Sequence, residues 1–223
     1  MNLPNAITVG RIAAAPFIGW LPFASTWSLR LVAFLLFVIV AVSDYYDGML
    51  ARSRNLITDL GKQLDPLADK LFLVATFVPM YSLMRTPSAV ASNESFRFVT
   101  PLGIVGLPLW VVLVVLGREI LMTVLRQRAA SRGVVIAAIG PAKWKTALQL
   151  VWAGSAYFWF WIATAAAAGG WSSSAWHAFE NFNGTVGVVT MGGAVILTMY
   201  SLALYLRRYG AVLRASAGAT SAR

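Results

Sequence analysis

The sequence predicts an all-α integral membrane protein with six transmembrane helices and a short N-terminal interfacial helix. Of its 223 residues, 59% are hydrophobic and 12% are charged. A soluble domain usually carries about a quarter charged residues. The mean hydropathy of +0.71 agrees with these values. Together they exclude a soluble globular domain and a disordered chain.

Six apolar stretches predict the spans, since a helix needs about 20 mainly apolar residues to cross a bilayer. In chain order they are residues 12–24, 31–42, 67–84, 101–125, 147–168 and 186–206. The first lengthens if residues 6–10 belong to the same helix. Asn2, Pro4 and Asn5 favour a helix start before it, which predicts the interfacial helix. We interpret residues 1–213 as one membrane domain and the low-complexity residues 214–223 as a disordered tail.

The distribution of basic residues predicts the topology. The chain has 18 Lys and Arg against 8 Asp and Glu, and most of the basic residues follow the second, fourth and sixth spans. Cytoplasmic loops collect such residues, so both termini are expected in the cytoplasm. The same bias explains the net charge without a nucleic-acid partner, which we exclude. With no cysteine and one histidine, His177, acid–base chemistry is left to Asp, Glu, Lys or Tyr.

Four carboxylates stand at the cytoplasmic ends of two adjoining spans. Asp44 and Asp47 end the second span, and Asp65 and Asp69 begin the third. Residues three or four apart share one face of a helix, so antiparallel neighbours would bring the two pairs together. Each carboxylate costs about 2.5–3.5 kcal/mol at the centre of a membrane helix. Hard divalent cations such as Mg²⁺ would offset that charge and leave positions for phosphate oxygens.

This pattern predicts a metal centre that handles a phosphorylated substrate. Two alternatives stay open at this point. The carboxylates would pair with Arg52, Lys62 and Lys70 in a purely structural role. They would otherwise line a cation pathway, as intramembrane carboxylates do in transporters.

The acidic residues belong to a longer motif. The motif reads Asp44-x2-Asp47-Gly48-x2-Ala51-Arg52-x8-Gly61-x3-Asp65-x3-Asp69. It resembles the signature of the CDP-alcohol phosphotransferase family at all eight fixed positions over 26 residues. The resemblance implies a six-helix membrane enzyme, usually a homodimer, in which an alcohol attacks a CDP-linked lipid and CMP is released.

The family roles carry over to the matching positions. The resemblance implies that two divalent cations, Mg²⁺ or Mn²⁺, are held by Asp44, Asp47, Asp65 and Asp69. Asp69 would also act as the general base. The residues implied on the side of the CDP-lipid are Gly48, Ala51, Arg52, Gly61, Asn5 and Thr8. Helix packing, helix capping, a loop with positive φ and membrane anchoring are the alternative roles for these six.

A second set of basic residues bears on the alcohol. Arg118 and Arg126 lie eight residues apart, about 80° around a helix, near the end of the fourth span. Lys143 and Lys145 begin the fifth span at the same membrane level. Convergence of these side chains would bind an anionic acceptor. Ordinary cytoplasmic charge is the alternative, and Glu119 is an alternative partner for Arg118.

Further pieces resemble one bacterial branch of the family. They are Asn2-Leu3-Pro4-Asn5 with Thr8 and Arg11, Leu64 to Lys70, Gly117-Arg118-Glu119, and Lys143-Trp144-Lys145-Thr146 with Gln149. That branch joins CDP-diacylglycerol to sn-glycerol 3-phosphate, giving phosphatidylglycerol phosphate and CMP. Ala142 replaces its usual glycine. A rival branch, which forms cardiolipin from phosphatidylglycerol, tends to have Asn in place of Lys145. We expect a multi-pass protein of a bacterial inner membrane whose active site faces the cytoplasm.

Overall fold

The computed structural model describes residues 3–53, 59–85, 96–131 and 140–214. Within these ranges, the side chains of residues 3–4, 45, 47–53, 59–60, 62–63, 141–142 and 208–214 are not described. Most of the described chain is helical. The helices are α1 (Leu3–Trp20), α2 (Trp27–Ser53), α3 (Asp59–Arg85), α4 (Leu109–Ala130), α5 (Gly140–Gly169) and α6 (Ser174–Arg214).

Among the residues that the structure describes, five helical segments are long and apolar enough to cross a membrane. They are Asn5–Phe23, Trp27–Asp44, Leu64–Arg85, Lys143–Gly169 and Ser174–Arg207. The helix α4 is not among them, and it carries four charged residues, Arg118, Glu119, Arg126 and Arg128. The helical, apolar character expected from the sequence is therefore confirmed. The count of six spans and the cytoplasmic placement of the termini stay predictions.

The first helix corrects one expectation. The helix α1 is continuous from Leu3 to Trp20, so within the described residues no separate helix precedes the first span. Its segment between Pro4 and Pro16 contains no further proline, and Gly10 is the one glycine there. One glycine costs a helix only about 1 kcal/mol, which the packing of an apolar helix offsets. Residues 6–10 therefore belong to the helix of the first span.

The fourth helix starts later than the sequence predicts. A short antiparallel hairpin, β1 (Phe98–Thr100) and β2 (Gly103–Val105), occupies the expected beginning of the span. Gly103 has a φ of 129°, which favours glycine, and Pro108 stands directly before α4. These residues prevent the helix from starting at residue 101. The helix α4 therefore begins at Leu109.

The described chain falls into two compact units. The first comprises Met1–Pro108 and Leu150–Val188, and the second comprises Leu109–Gln149 and Val189–Arg223. In the first unit, α1 packs against both α2 and α3. The buried Tyr157 hydroxyl of α5 lies 3.1 Å from the carbonyl oxygens of Ile18 in α1 and Ala75 in α3. This contact fixes three helices at one level. The assignment of residues 1–213 to one domain stays a prediction.

Gly184→Ala is expected to destabilise the first unit. A Cβ at Gly184 would overlap the carbonyl oxygen of Val99 in β1 and lie 2.7 Å from its carbonyl carbon. Backbone atoms cannot move aside cheaply, so we expect a loss of about 1–3 kcal/mol. The matched control is Gly192→Ala in the same helix, where no described atom lies within 4 Å of the added Cβ. Thermal unfolding in detergent should separate the two variants, and equal Tm values would contradict this packing.

Candidate active site

One face of α1 carries three buried polar side chains. Asn5, Thr8 and Arg11 follow each other at intervals of three residues, which places them on the same side of the helix. Their exposed fractions are 6%, 2% and 4%. Because buried polar groups need partners, this face must contact polar groups of the neighbouring helices. Asn5 thus lies inside α1 and does not cap it.

Arg11 joins a carboxylate of α2 to a carboxylate of α3. Its Nη1 lies 2.6 Å from Oδ1 of Asp44, and its Nη2 lies 2.8 Å from Oδ1 of Asp69. Arg11 is buried, whereas the side chains of Asp44 and Asp69 are 53% and 57% exposed. The structure therefore brings one carboxylate of each predicted pair to a single guanidinium, with open carboxylate surface beside it.

Asp65 is held from the same face of α1. The Thr8 hydroxyl donates a 2.9 Å hydrogen bond to Oδ1 of Asp65. Asp65 lies one turn before Asp69 on α3 and is exposed. Gly61 is buried in the first turns of α3, so it is not a loop residue. Four predicted site residues lie outside the described side chains: Asp47, Gly48, Ala51 and Arg52.

The donor chemistry of this cluster fits a hard divalent cation. Asp44, Asp65 and Asp69 offer carboxylate oxygens, the ligand type that Mg²⁺ and Mn²⁺ prefer. Among the residues with described side chains, no three acidic or histidine groups are close enough to hold one ion. Asp47, the fourth member of the predicted set, is not among those residues. Metal binding at this cluster stays a prediction.

A second polar cluster lies in the second unit, between α4 and α5. Arg118 and Lys145 are buried, with exposed fractions of 6% and 3%. Arg118 Nη1 donates a 2.9 Å bond to Oε1 of Glu119, and Lys145 Nζ donates to the same oxygen. Arg118 Nη2 also donates to the Ser201 hydroxyl of α6 at 3.2 Å. Glu119 is therefore the ion-pair partner of both buried cations.

Arg126 and Lys143, the two other residues predicted to bind the acceptor, are exposed. Arg126 is exposed, and its Cζ lies 6.0 Å from the ring centroid of Tyr205. Arg118 approaches the same ring at 5.8 Å, so the two arginines share one aromatic neighbour. Lys143 is exposed and makes no ion pair or hydrogen bond with the described residues. The structure thus groups Arg118, Arg126 and Lys145, and no contact among the described residues joins Lys143 to them.

Sequence reasoning gave three contact residues no site role. Arg11 appears in the sequence only as part of a resemblance, although its spacing from Thr8 indicates a shared helix face. Glu119 is visible as a charge inside an apolar run and as an alternative partner for Arg118, but its second partner, Lys145, is not. Ser201 has no sequence signal, because a serine in an apolar helix usually bonds its own backbone.

Comparison with known proteins identifies the family. Residues 1–200 match the family model described as CDP-alcohol phosphatidyltransferase. An Arabidopsis thaliana protein named CDP-diacylglycerol–glycerol-3-phosphate 3-phosphatidyltransferase 2 is 33% identical over 161 residues. That match covers 68% of this chain and 62% of the relative, so it spans less than two thirds of the relative's length.

Two bacterial relatives carry different names. The CDP-diacylglycerol–glycerol-3-phosphate 3-phosphatidyltransferase of Bacillus subtilis is 33% identical over 162 residues, covering 67% of this chain and 73% of the relative. A cardiolipin synthase (CMP-forming) of Streptomyces coelicolor is 29% identical over 192 residues, covering 79% and 75%. The family model covers most of the chain, including the acidic residues of α2 and α3 and the basic residues of α4 and α5. The chain therefore belongs to the CDP-alcohol phosphatidyltransferase family, which is a family of enzymes.

Proposed function

We propose that this enzyme transfers the phosphatidyl group of CDP-diacylglycerol to sn-glycerol 3-phosphate, giving phosphatidylglycerol phosphate and CMP. The observation that carries the proposal is the gathering of Asp44 and Asp69 on the guanidinium of Arg11. It assembles carboxylates from two helices of the family motif at a partly exposed position. The names of the Arabidopsis and Bacillus relatives support this donor and this acceptor.

The acidic cluster, formed by Asp44, Asp65 and Asp69 beside Arg11, supplies the groups that a direct displacement needs. The acceptor hydroxyl oxygen attacks the β-phosphorus, the bond from that phosphorus to the oxygen of CMP breaks, and CMP leaves with the bonding pair. Asp69 accepts the hydroxyl proton, because its half-exposed carboxylate is open to an incoming alcohol. Arg11 orients this carboxylate from its buried side, so that Asp69 keeps one position during the transfer.

Two divalent cations, Mg²⁺ or Mn²⁺, belong to this proposal. Asp44, Asp47, Asp65 and Asp69 would hold them, since these residues offer oxygen ligands only. When bound, the cations supply charge stabilisation for the phosphate oxygens during the displacement. Thr8 orients Asp65 toward this role by its hydrogen bond.

The basic cluster, formed by Arg118, Arg126 and Lys145 with Glu119, supports an anionic acceptor. Arg118 and Lys145 pair with the single carboxylate of Glu119, and Arg126 adds a third positive charge beside Tyr205, so two positive charges are left over. A phosphomonoester carries about 1.5–2 negative charges at neutral pH and would neutralise them. Lys143, at the start of α5, would join on the exposed side. Guanidinium groups suit this role because their donors match phosphate oxygens in pairs.

The membrane setting is part of the same proposal. We assign six crossings, including α4, with both termini and the active site on the cytoplasmic side of a bacterial inner membrane. The enzyme would work as a homodimer among membrane lipids and bind no nucleic acid. In α4, pairing of Arg118 with Glu119 lowers the cost of placing these charges in the bilayer.

A second candidate has phosphatidylglycerol as the acceptor and cardiolipin as the product. The cardiolipin synthase of Streptomyces coelicolor supports it by covering 79% of this chain. The buried Lys145 and Arg118 favour the phosphomonoester, because phosphatidylglycerol offers a single negative charge. Membership of an enzyme family speaks against the cation pathway as an alternative.

The acceptor assay tests the proposed function. The purified full chain, reconstituted with CDP-diacylglycerol and Mg²⁺ or Mn²⁺, should release CMP when glycerol 3-phosphate is added. Phosphatidylglycerol in place of glycerol 3-phosphate should give at least about 100-fold less CMP, since the phosphomonoester charge would be missing. Release with phosphatidylglycerol alone would establish the second candidate. Absence of release with both acceptors would contradict the proposal.

A further inference from the structure

Glu119 holds the Lys145 ammonium at a fixed place in the second unit. The ammonium donates to Oε1 of Glu119, and this is its one bond among the described residues. Arg118 donates to the same oxygen but has a second partner in Ser201. Among the described residues, loss of Glu119 would therefore leave Arg118 with its bond to Ser201 and Lys145 with none.

Because Lys145 is buried, its ammonium needs the ion pair with Glu119. Lys145 is 3% exposed and the Glu119 side chain is 24% exposed. A lysine has a flexible four-carbon stem, so its ammonium takes a definite position only where a partner fixes it. A buried ammonium without a counter-charge is also costly in free energy. The Glu119 carboxylate removes that cost and defines where the charge lies.

The ion pair does not use up the donors of the two cations. An ammonium has three N–H groups, and one of those of Lys145 is engaged by Glu119. Arg118 Nε is buried and has no hydrogen-bond partner among the described residues. These spare donors would bind a phosphate without displacing Glu119. The carboxylate and the ligand would therefore share the cations.

We propose that Glu119 is a positioning residue that holds Lys145 ready for the phosphate of the acceptor, an inference that rests on the proposed function. Glu119 does not touch the acceptor or the CDP-lipid. Its effect on catalysis passes through Lys145, and it governs the affinity for the anionic acceptor. The KM for CDP-diacylglycerol is independent of it, because the acidic cluster does not involve Glu119.

The test is steady-state kinetics of Glu119→Gln in the reconstituted full chain. Glutamine keeps the size of the side chain and an oxygen that can accept a hydrogen bond, but it carries no charge, so the Lys145 ammonium is held less firmly. The KM for glycerol 3-phosphate should rise by about 10- to 100-fold, with less than about a threefold change in the KM for CDP-diacylglycerol. The matched control is Glu180→Gln, whose carboxylate contacts His177 near the start of α6. Its two KM values should equal those of the wild type.

If Glu119→Gln does not fold, a double variant still tests the inference. Glu119→Gln combined with Lys145→Met removes both charges and leaves no unpaired ammonium. If Glu119 acts through Lys145, the double variant should have the same KM for glycerol 3-phosphate as Lys145→Met alone. A further rise of tenfold or more in the double variant would overturn the assignment of Lys145 as the intermediary.

Other outcomes separate this inference from the proposed function. An unchanged KM for glycerol 3-phosphate in a folded Glu119→Gln overturns the inference alone, provided that the wild type releases CMP with this acceptor. Equal increases in both KM values overturn it too, because they indicate a general structural role. A wild type without CMP release dependent on glycerol 3-phosphate overturns the proposed function and the inference together.

Discussion

Asp69→Asn is expected to abolish CMP release, lowering kcat by about 10³-fold or more, while the protein stays folded. An amide accepts no proton from the acceptor hydroxyl at neutral pH. The asparagine oxygen still accepts the hydrogen bond from Arg11 Nη2, so the link between α1 and α3 persists. The measurement is kcat for CMP release, with circular dichroism and Tm recorded on the same preparation.

Comparison with Asp65→Asn sharpens this prediction. Asp65 bonds to Thr8 and serves as a proposed metal ligand without the role of a base. We expect Asp65→Asn to weaken Mn²⁺ binding more than Asp69→Asn does, and Glu180→Gln to change neither binding nor kcat. Full activity of Asp69→Asn would refute the general base. Loss of its folded state would instead assign Asp69 a structural role beside Arg11.

Helical spacing predicted which residues share a face and that the two acidic pairs meet, but not that α1 packs against both α2 and α3. The intervals within the two acidic pairs placed each pair on one side of a helix. The partner of those faces depends on the packing of α1 against α2 and α3. The sequence shows Arg11 only as part of a resemblance, whereas its bridge between Asp44 and Asp69 depends on tertiary structure.

The helix boundaries, too, were predicted only in part from local sequence. Apolar length alone placed the fourth span at residue 101, whereas the hairpin formed by β1 and β2 takes the first part of that stretch. The sequence contains residues that favour a turn in this stretch, namely Pro101, Gly103 and Pro108. The prediction gave more weight to the apolar composition of the stretch. The first span was underestimated for the opposite reason, because Gly10 in α1 does not end a helix that packs on two neighbours.

In the basic cluster, the pattern of charges in the sequence did not identify all the ion-pair partners. Arg118 beside Glu119 in an apolar run indicated a buried charge, with either an anionic acceptor or Glu119 as its partner. The structure pairs Glu119 with Arg118 and also with Lys145, which lies 26 residues further along the chain. Lys143 has the same residue type and nearly the same position, yet it is exposed. The orientation of α5 decides this difference, and a local pattern of charges does not contain it.

Substitution of Arg11 tests whether the bridge between α2 and α3 is needed for turnover. Arg11→Ala removes both ion pairs and leaves Asp44 and Asp69 without their shared cation. We expect kcat to fall by about 100-fold, because a displacement of about 1 Å in catalytic groups has an effect of that size. The control is Arg85→Ala at the exposed end of α3, which should keep the kcat of the wild type.

Arg11→Lys separates the positive charge from the bridging geometry. An ammonium keeps the charge, but it lacks the planar fork that reaches Asp44 with one nitrogen and Asp69 with the other. We therefore expect kcat of Arg11→Lys to stay at least about tenfold below the wild type, and above Arg11→Ala. Full activity of Arg11→Lys would mean that charge alone suffices. A fall in Tm that accounts for the lost activity would reduce the bridge to a contact that stabilises α1 against its neighbours.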